Sequence, residues 1–257
     1  MARAVILDGL DLQSGAYRIT DTDAFSSPVK DVNIIELARK DGAKAVFERY
    51  KSRKINLTGY IQTDTVNEAD SALDTLKSFI NRRGLELKIG YLDEYRVFTV
   101  NTESLQVARK NTDVSRMGFN IQSVAPNPFA VDETETTLVD ESGVTSSANI
   151  SVNAGGSYFA LPLIVITINA IDPDDSPVTI TIGNAIENTY MSITGTFVAG
   201  DVITLDSYNE IIYLNSAIIE GDGIFPIWSP TGGTFEYTDD ATTRDIDILA
   251  TYYRRWL

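Results

Sequence analysis

The chain has 257 residues, of which 43% are hydrophobic and 22% charged, with a formal net charge of −15 and no cysteine or histidine. Its length suits two globular domains with cores of their own, and disulfides, thiolate chemistry and histidine catalysis are excluded. An acidic chain without an apolar run of about 18 residues is expected neither to bind nucleic acid sequence-specifically nor to insert into a membrane.

Residues 20–53 predict an extended arm or a long loop with short strands. They combine a Ser-Ser-Pro sequence, an apolar run over residues 32–37 and the turn signal Lys40-Asp41-Gly42. Apolar and polar residues then alternate over residues 55–61, which predicts a strand in a sheet with one wet face.

A helix is predicted at residues 67–84. Asn67 is the expected N-cap, and Gly84 can take the left-handed conformation that ends a helix. The residues expected to pack the helix onto the sheet follow the helical spacing and are Leu73, Leu76, Phe79 and Ile80. Residues 85–89 and 96–100 predict a hairpin around a turn at Asp93-Glu94. The first 130 residues are thus predicted to be a β domain with one α-helix and an extended arm.

The charge distribution changes near Ala130. Residues 1–130 carry 18 Lys and Arg against 17 Asp and Glu, whereas residues 131–257 carry 3 against 19. No Lys or Arg occurs from Met117 to Thr243, and the three that follow are Arg244, Arg254 and Arg255. We interpret this change as a boundary between a near-neutral domain and a strongly anionic one.

The second half is predicted to be all β. Residues 131–157 are rich in small polar and acidic residues and are expected to be a polar linker or edge region. Residues 158–257 are expected to form an acidic, antiparallel β-sandwich, because short apolar runs recur between turn signals. Its strands are predicted at residues 161–168, 178–182, 188–198, 202–206, 210–215, 234–238 and 246–254.

Acidic residues offer two candidate sites. Asp172, Asp174 and Asp175 can supply oxygen ligands to Ca²⁺, or can form a solvated Asp-Pro turn that needs no metal. Glu220 and Asp222 can belong to a glycosidase pair, but nothing in the sequence marks two carboxylates as facing each other. We therefore predict no catalytic residue, no metal site and no cofactor.

The two tryptophans and a basic cluster also admit more than one interpretation. Trp228 and Trp256 can stack on sugar rings as glycan contacts, or can pack in the sandwich core. The basic cluster can touch DNA, pair with acidic neighbours in an interface or remain solvated. Its members are Arg49, Lys51, Arg53 and Lys54.

Short motifs follow one another over nearly the whole chain. In the first half they are Leu7-Asp8-Gly9-Leu10-Asp11-Leu12, Arg39-Lys40-Asp41-Gly42, Met117-Gly-Phe119-Asn-Ile121 and Pro126-Asn-Pro128-Phe129-Ala130. In the second half they are Gly200-Asp-Val-Ile-Thr-Leu-Asp206, Gly221-Asp-Gly-Ile-Phe-Pro226, Trp228-Ser-Pro230-Thr-Gly232 and Tyr252-Tyr-Arg-Arg-Trp-Leu257. In this order and spacing they resemble the distal tail proteins of siphovirus-type phages, which belong to the phage tail-component family.

The resemblance implies a structural protein without enzymatic activity. In the family, the N-terminal domain and its arm form a hexameric belt, and a galectin-like sandwich projects from it. The belt joins the tail tube to the tail hub and lets DNA pass.

The implied partners are other copies of the chain in a homohexamer, the tail tube, tail-hub and tape-measure proteins, and receptor-binding proteins. The implied location is the distal tail tip of the virion, after assembly in the host cytoplasm. The sequence does not indicate which residues form the ring interface. The alternative is a carbohydrate-binding module of a tail-tip adhesin that contacts host surface glycans.

Overall fold

The structure is a computed structural model that describes residues 4–36, 43–110, 113–172, 175 and 177–257. Antiparallel strands dominate the described chain and one α-helix accompanies them, which confirms the predicted mainly β fold class. That helix is too short and too polar to cross a membrane. The chain divides into two compact units, Met1–Glu133 with Leu257 and Thr134–Trp256.

The N-terminal unit contains one long strand that is shared by two sheets. Its elements are β1 (Val5–Leu7), β2 (Leu10–Asp11), β3 (Tyr17–Thr22), β4 (Lys30–Glu36), β5 (Ala43–Tyr50), β6 (Arg53–Gln62), α1 (Val66–Ile80), β7 (Leu85–Tyr91), β8 (Glu94–Lys110), β9 (Asp113–Ala125) and β10 (Ala130–Asp132). The strand order is β2-β1-β7-β8-β9-β6-β3, and β10 also pairs with β8. Residues 94–100 of β8 pair with β7, and residues 101–110 pair with β9, so one strand belongs to both sheets.

The predicted strand and hairpin are present in this unit. In β6, alternate side chains from Arg53 onwards are buried, as the sequence alternation indicates. The hairpin consists of β7 and the first part of β8. Its turn lies at Leu92 and Asp93, one residue earlier than expected, and Leu92 takes a positive φ of 55°.

The helix begins and ends earlier than the sequence indicated. Thr65, not Asn67, is the N-cap: its hydroxyl accepts a hydrogen bond from the Glu68 amide, and the Glu68 carboxylate accepts one from the Thr65 amide. This capping box satisfies two amides that a start at Asn67 would leave unpaired. The C-cap is Asn81, so Gly84 lies beyond the helix, where its positive φ of 63° turns the chain into β7.

The helix lies against β6 and β9. Of the four residues expected to pack it onto the sheet, Leu76 and Ile80 are buried, whereas Leu73 and Phe79 are half-buried. The Tyr17 hydroxyl of β3 donates a hydrogen bond of 2.8 Å to the carbonyl oxygen of Ala72, which adds a polar tie between helix and sheet.

Thr65→Ala is expected to lower the free energy of unfolding by about 1 kcal/mol, because it removes the hydroxyl half of the capping box. Chemical denaturation of the full chain measures this change. Ser78→Ala is the matched control: Ser78 is exposed within the helix, where its hydroxyl bonds back to the Thr75 carbonyl, and alanine is the better helix former. Equal losses in the two variants would contradict a capping role for Thr65.

The C-terminal unit is a two-sheet sandwich. Its strands are β11 (Thr136–Val144), β12 (Ala148–Val152), β13 (Leu163–Ile171), β14 (Val178–Asn184), β15 (Thr189–Gly195), β16 (Val202–Asp206), β17 (Ile211–Leu214), β18 (Ala217–Ile219), β19 (Asp222–Gly223), β20 (Gly233–Asp239), β21 (Arg244–Tyr252) and β22 (Arg255–Trp256). One sheet has the order β11-β21-β13-β16-β17-β18 and the other β12-β20-β14-β15-β19. The inward side chains of both sheets form one apolar core.

Residues 131–157, for which the sequence left a linker or a polar edge region open, contain the end of β10 and two edge strands of the sandwich. β11 borders the first sheet beside β21, and β12 borders the second beside β20. Only one side chain of β11 is buried and none of β12. Polar composition therefore reflects edge position here, since an edge strand faces solvent on more sides than a central one.

Candidate assembly surface

An arm with exposed apolar side chains is the most unusual surface of the N-terminal unit. β4 and β5 pair with each other and with no other described strand. No side chain of β4 is buried, and Ile34 and Ile35 are 60% and 53% exposed. Val29 and Val32 are exposed next to them. Ile34 and Ile35 are neighbours in a strand, so their side chains point to opposite sides of the arm, and apolar groups are exposed on both sides. Exposed apolar groups concentrated on one short element favour an interaction site, because large apolar patches on soluble proteins usually mark one. We call these four residues the arm face.

The charged groups at the base of the arm are paired within it. The Asp31 carboxylate forms two ion pairs, one with Arg49 Nε at 3.5 Å and one with Lys51 Nζ at 3.3 Å. The Lys30 ammonium lies 5.2 Å from the centre of the Tyr50 ring. These charged groups at the base are thus satisfied within the arm, whereas the arm face is exposed. The predicted turn at Lys40-Asp41-Gly42 lies outside the described residues.

Arg53 fixes the point where the arm leaves the domain. Its buried guanidinium donates hydrogen bonds to three carbonyl oxygens, those of Ser26, of Ala24 at 2.5 Å and of Pro128 at 3.4 Å. The same guanidinium lies 5.1 Å from the centre of the Phe98 ring. These contacts join the segment before β4, the start of β6 and the segment before β10. We call this arrangement the arm clamp.

The arm clamp is reinforced by a carboxylate. Asp23 accepts hydrogen bonds from the backbone and side-chain amides of Asn56, at 2.7 and 2.6 Å. Burial lowers the pKa of the Arg53 guanidinium, and the charge of Asp23 opposes part of that shift. The arm therefore projects from a hydrogen-bonded base.

The basic cluster of the sequence separates into different roles. Arg53 is buried in the arm clamp, so it cannot touch DNA as one interpretation allowed. Lys54 points to the other face of β6 and pairs with Glu103 at 3.3 Å. Arg49 and Lys51 share Asp31 of the same arm, so their acidic neighbour lies within the chain, and pairing across an interface stays a prediction.

The acidic turn of the C-terminal unit is explained by hydrogen bonding. Asp175 accepts hydrogen bonds from the backbone amide and the hydroxyl of Thr242, the second at 2.8 Å. The first of these is the main cause of the lowered pKa of Asp175. Asp174 lies outside the described residues. Among the residues that are described, no three His, Cys, Asp or Glu side chains come together as a potential metal site.

Of the two interpretations left open for Trp228, the structure favours packing in the sandwich core over glycan contact. Its side chain is fully buried and stacks on Phe235, with ring centres 5.5 Å apart and an angle of 14° between the planes. Its backbone pairs with Ala160 in both directions. A sugar needs an exposed ring face, which Trp228 does not offer. Trp256 is half-buried, with the Arg254 guanidinium 5.9 Å from its ring centre, so glycan contact stays a prediction for Trp256 alone.

Residues 13–123, which include the arm and the helix, match the family model described as the phage tail protein RIFT-related domain. This segment is similar to the members of that family. The RIFT-related domain thus covers the chain from just before β3 almost to the end of β9. No curated protein sequence matches the chain.

The fold of the whole chain is similar to that of a known tail protein. The crystal structure of Dit (gp 19.1) of phage SPP1 matches with a TM-score of 0.71 and 14% identity over 100% of both chains. That protein is described as a paradigm of the hub adsorption apparatus in phages that infect Gram-positive bacteria. Together with the RIFT-related domain, this match confirms the resemblance to siphophage distal tail proteins.

Two baseplate structures of phage p2, in the activated conformation with Ca and with Sr, contain further similar chains. They match with TM-scores of 0.50 and 0.51 at 9% and 8% identity, over 98% of this chain and of theirs. At such low identities the structural matches concern the fold.

Proposed function

We propose that the chain is a structural ring component at the distal end of a siphovirus-type tail. Its N-terminal units would assemble as a homohexamer that joins the tail tube to the tail hub and receptor-binding apparatus and lets DNA pass. The observation that carries the proposal is the exposed arm face on a RIFT-related domain. The chain has no enzymatic role in this proposal.

The arm suits contact between copies in a closed ring. A ring larger than a dimer needs two different surfaces on each copy, so that each contacts the next head to tail. A projecting two-stranded arm supplies one of these surfaces, because it presents apolar side chains and unpaired strand edges away from its own domain. The neighbouring copy would cover both the apolar side chains and the strand edges.

The division of charge favours assembly through the N-terminal half. Residues 1–130 carry 18 basic and 17 acidic residues per copy, so six copies can pack through this half without accumulating repulsion. Residues 131–257 carry 3 basic and 19 acidic residues, and repulsion between them is smallest when they lie on the outside of the ring.

The proposed partners follow from the fold. The similarity to SPP1 Dit, described as part of a hub adsorption apparatus, supports contacts with tail tube, tail-hub and tape-measure proteins and with receptor-binding proteins. The similarity to chains of the p2 baseplate supports a place at the tail tip of the virion. Assembly would take place in the host cytoplasm, where a chain without cysteine needs no oxidising environment.

Ile34→Ser/Ile35→Ser is expected to abolish ring formation while the chain stays folded. Both side chains are exposed, so the fold loses little. The ring loses apolar burial at every interface, which weakens each contact at least about tenfold. Light scattering after size exclusion and negative-stain imaging measure assembly, at high concentration and with the tail tube protein present.

The matched control is Ile186→Ser/Val198→Ser, which changes two equally exposed apolar side chains on loops of the sandwich. The control should assemble as the unchanged chain does. A chain that stays monomeric under all these conditions, or an arm variant that still forms rings, would contradict the proposal.

A further inference from the structure

A cavity of about 320 Å³ opens between the edges of the two sheets of the sandwich. It lies where β18 ends the first sheet and β19 ends the second. Met191, Ile212, Ile218, Phe225, Glu210 and Glu220 are among its lining residues. We call it the edge pocket.

The floor of the edge pocket is apolar and reachable. Met191 and Ile212 are buried core residues that the pocket nevertheless touches. Gly221 packs closely on both side chains, since a Cβ at this position would lie 2.6 Å from Ile212 Cδ1 and 2.8 Å from Met191 Sδ. At the entrance, Ile218 is 72% exposed, and the nearby Ile224 is 62% exposed. An apolar side chain from another molecule can therefore be buried here.

The rim of the edge pocket is acidic and has no cation of its own. Glu210 and Glu220 line it, Asp222 follows in β19, and all three are exposed. No ion pair involves them within the described part of the chain. The sequence explains this, because no Lys or Arg occurs between Met117 and Thr243.

The three late arginines are engaged elsewhere in the sandwich. Arg244 pairs with Asp239 at 2.8 Å. Arg255 donates to the Phe159 carbonyl at 3.3 Å, and Arg254 lies near the Trp256 ring. The rim carboxylates are thus available to pair with a cationic group of another molecule.

We propose that the edge pocket binds an extended segment of a partner protein in which one apolar side chain is flanked by Lys or Arg. The apolar floor binds the apolar side chain of the segment, which we call the anchor, and the rim carboxylates pair with the flanking Lys or Arg. A neutral glycan fits less well: the lining side chains belong to Met, Ile, Phe and Glu, and an ionised Glu only accepts hydrogen bonds, so no side chain can donate to a sugar hydroxyl. The proposal concerns the sandwich and does not depend on ring formation.

Methyl NMR of the full chain, labelled at Ile δ1 and Met ε methyls, tests the proposal with synthetic twelve-residue peptides. The probe carries a central Phe between two Lys residues in a Gly-Ser background. We expect it to shift the methyl signals of Met191, Ile212, Ile218 and Ile219. Replacing the central Phe by Ser should weaken binding at least about tenfold, because the anchor loses its apolar burial. Replacing the flanking Lys by Glu should abolish binding.

A pair of charge variants separates the pocket from the general acidity of the domain. Glu210→Gln/Glu220→Gln should weaken binding of the Lys-flanked peptide about fivefold, since two exposed ion pairs are lost. Asp140→Asn/Glu141→Gln removes the same charge from exposed positions on β11, at the opposite edge of the sheet. This control should change the affinity less than about twofold.

Three results would overturn the proposal. The first is the absence of methyl shifts with the Lys-flanked peptide at millimolar concentration. The second is equal weakening by the two charge variants. The third is a shift of the same methyls by a neutral oligosaccharide but not by the peptide, which would assign the pocket to sugars. All three leave the assembly of the N-terminal unit untouched.

Discussion

Trp228→Ala is expected to destabilise the C-terminal unit by about 3–5 kcal/mol, as removal of a fully buried tryptophan leaves a large cavity. The indole lies in the core on Phe235, and Gly233 has no side chain where a Cβ would lie 2.8 Å from Trp228 Cδ1. Neighbouring atoms are thus already fitted to the ring and cannot easily fill the space it leaves. Denaturant unfolding followed by far-UV circular dichroism measures the loss.

Two controls accompany this variant. Trp228→Phe keeps an aromatic ring against Phe235, and the indole Nε1 has no hydrogen-bond partner among the described residues, so the loss should be smaller. Trp256→Ala changes a half-buried residue and should also cost less. If Trp228→Ala left stability unchanged but removed binding to host glycans, the buried position of Trp228 would be wrong and the carbohydrate-binding alternative would be supported.

Arg53→Met is expected to lower the free energy of unfolding of the N-terminal unit by about 3 kcal/mol. The substitution keeps an apolar stem but leaves the carbonyl oxygens of Ala24, Ser26 and Pro128 without their charged donor, and Ala24 and Pro128 are buried. Because the arm clamp sets where the arm begins, hydrogen exchange should also become faster in residues 24–30. Assembly should weaken as a consequence.

Lys54→Met is the matched control, since it removes the same charge from the next residue. Lys54 makes one exposed ion pair with Glu103, so its loss should cost no more than about 0.5 kcal/mol. Similar effects of the two substitutions on stability and on exchange in the arm would show that the arm clamp has no structural role.

Much of the fold can be predicted from the alternation of apolar and polar residues along the chain. The strands that were not predicted lack this alternation. The central strands of both units alternate clearly, because one face of each packs on a core. β18 and β19 have three and two residues, too few for an alternation to be seen. β11 and β12 are edge strands with polar faces, so their composition is that of a loop. The helix start was readable, because Thr65 and Glu68 have the spacing of a capping box.

The candidate site was only partly visible in the sequence. The sequence shows an apolar run at residues 32–37, but whether the side chains of such a run are buried depends on partners that local sequence does not specify. Arg53 could have been separated from Lys54, since Arg53 is in phase with Ile55 and Leu57 on the inward face of β6. The edge pocket unites residues from β15 to the segment after β19, so only the folded sheet pairing brings them together.

The sharing of β8 between two sheets has a mechanical consequence. Hinges form at loops and at the ends of elements, where a few dihedral angles can absorb a rotation. β8 continues from its pairing with β7 to its pairing with β9 as one strand, with a register shift between Thr102 and Ser104 beside the change of partner. A pull on one sheet is therefore transmitted to the other along a single covalent strand. The two sheets should therefore deform together under load, and a tail component that must hold its shape while force is applied to the particle gains stiffness from this one strand.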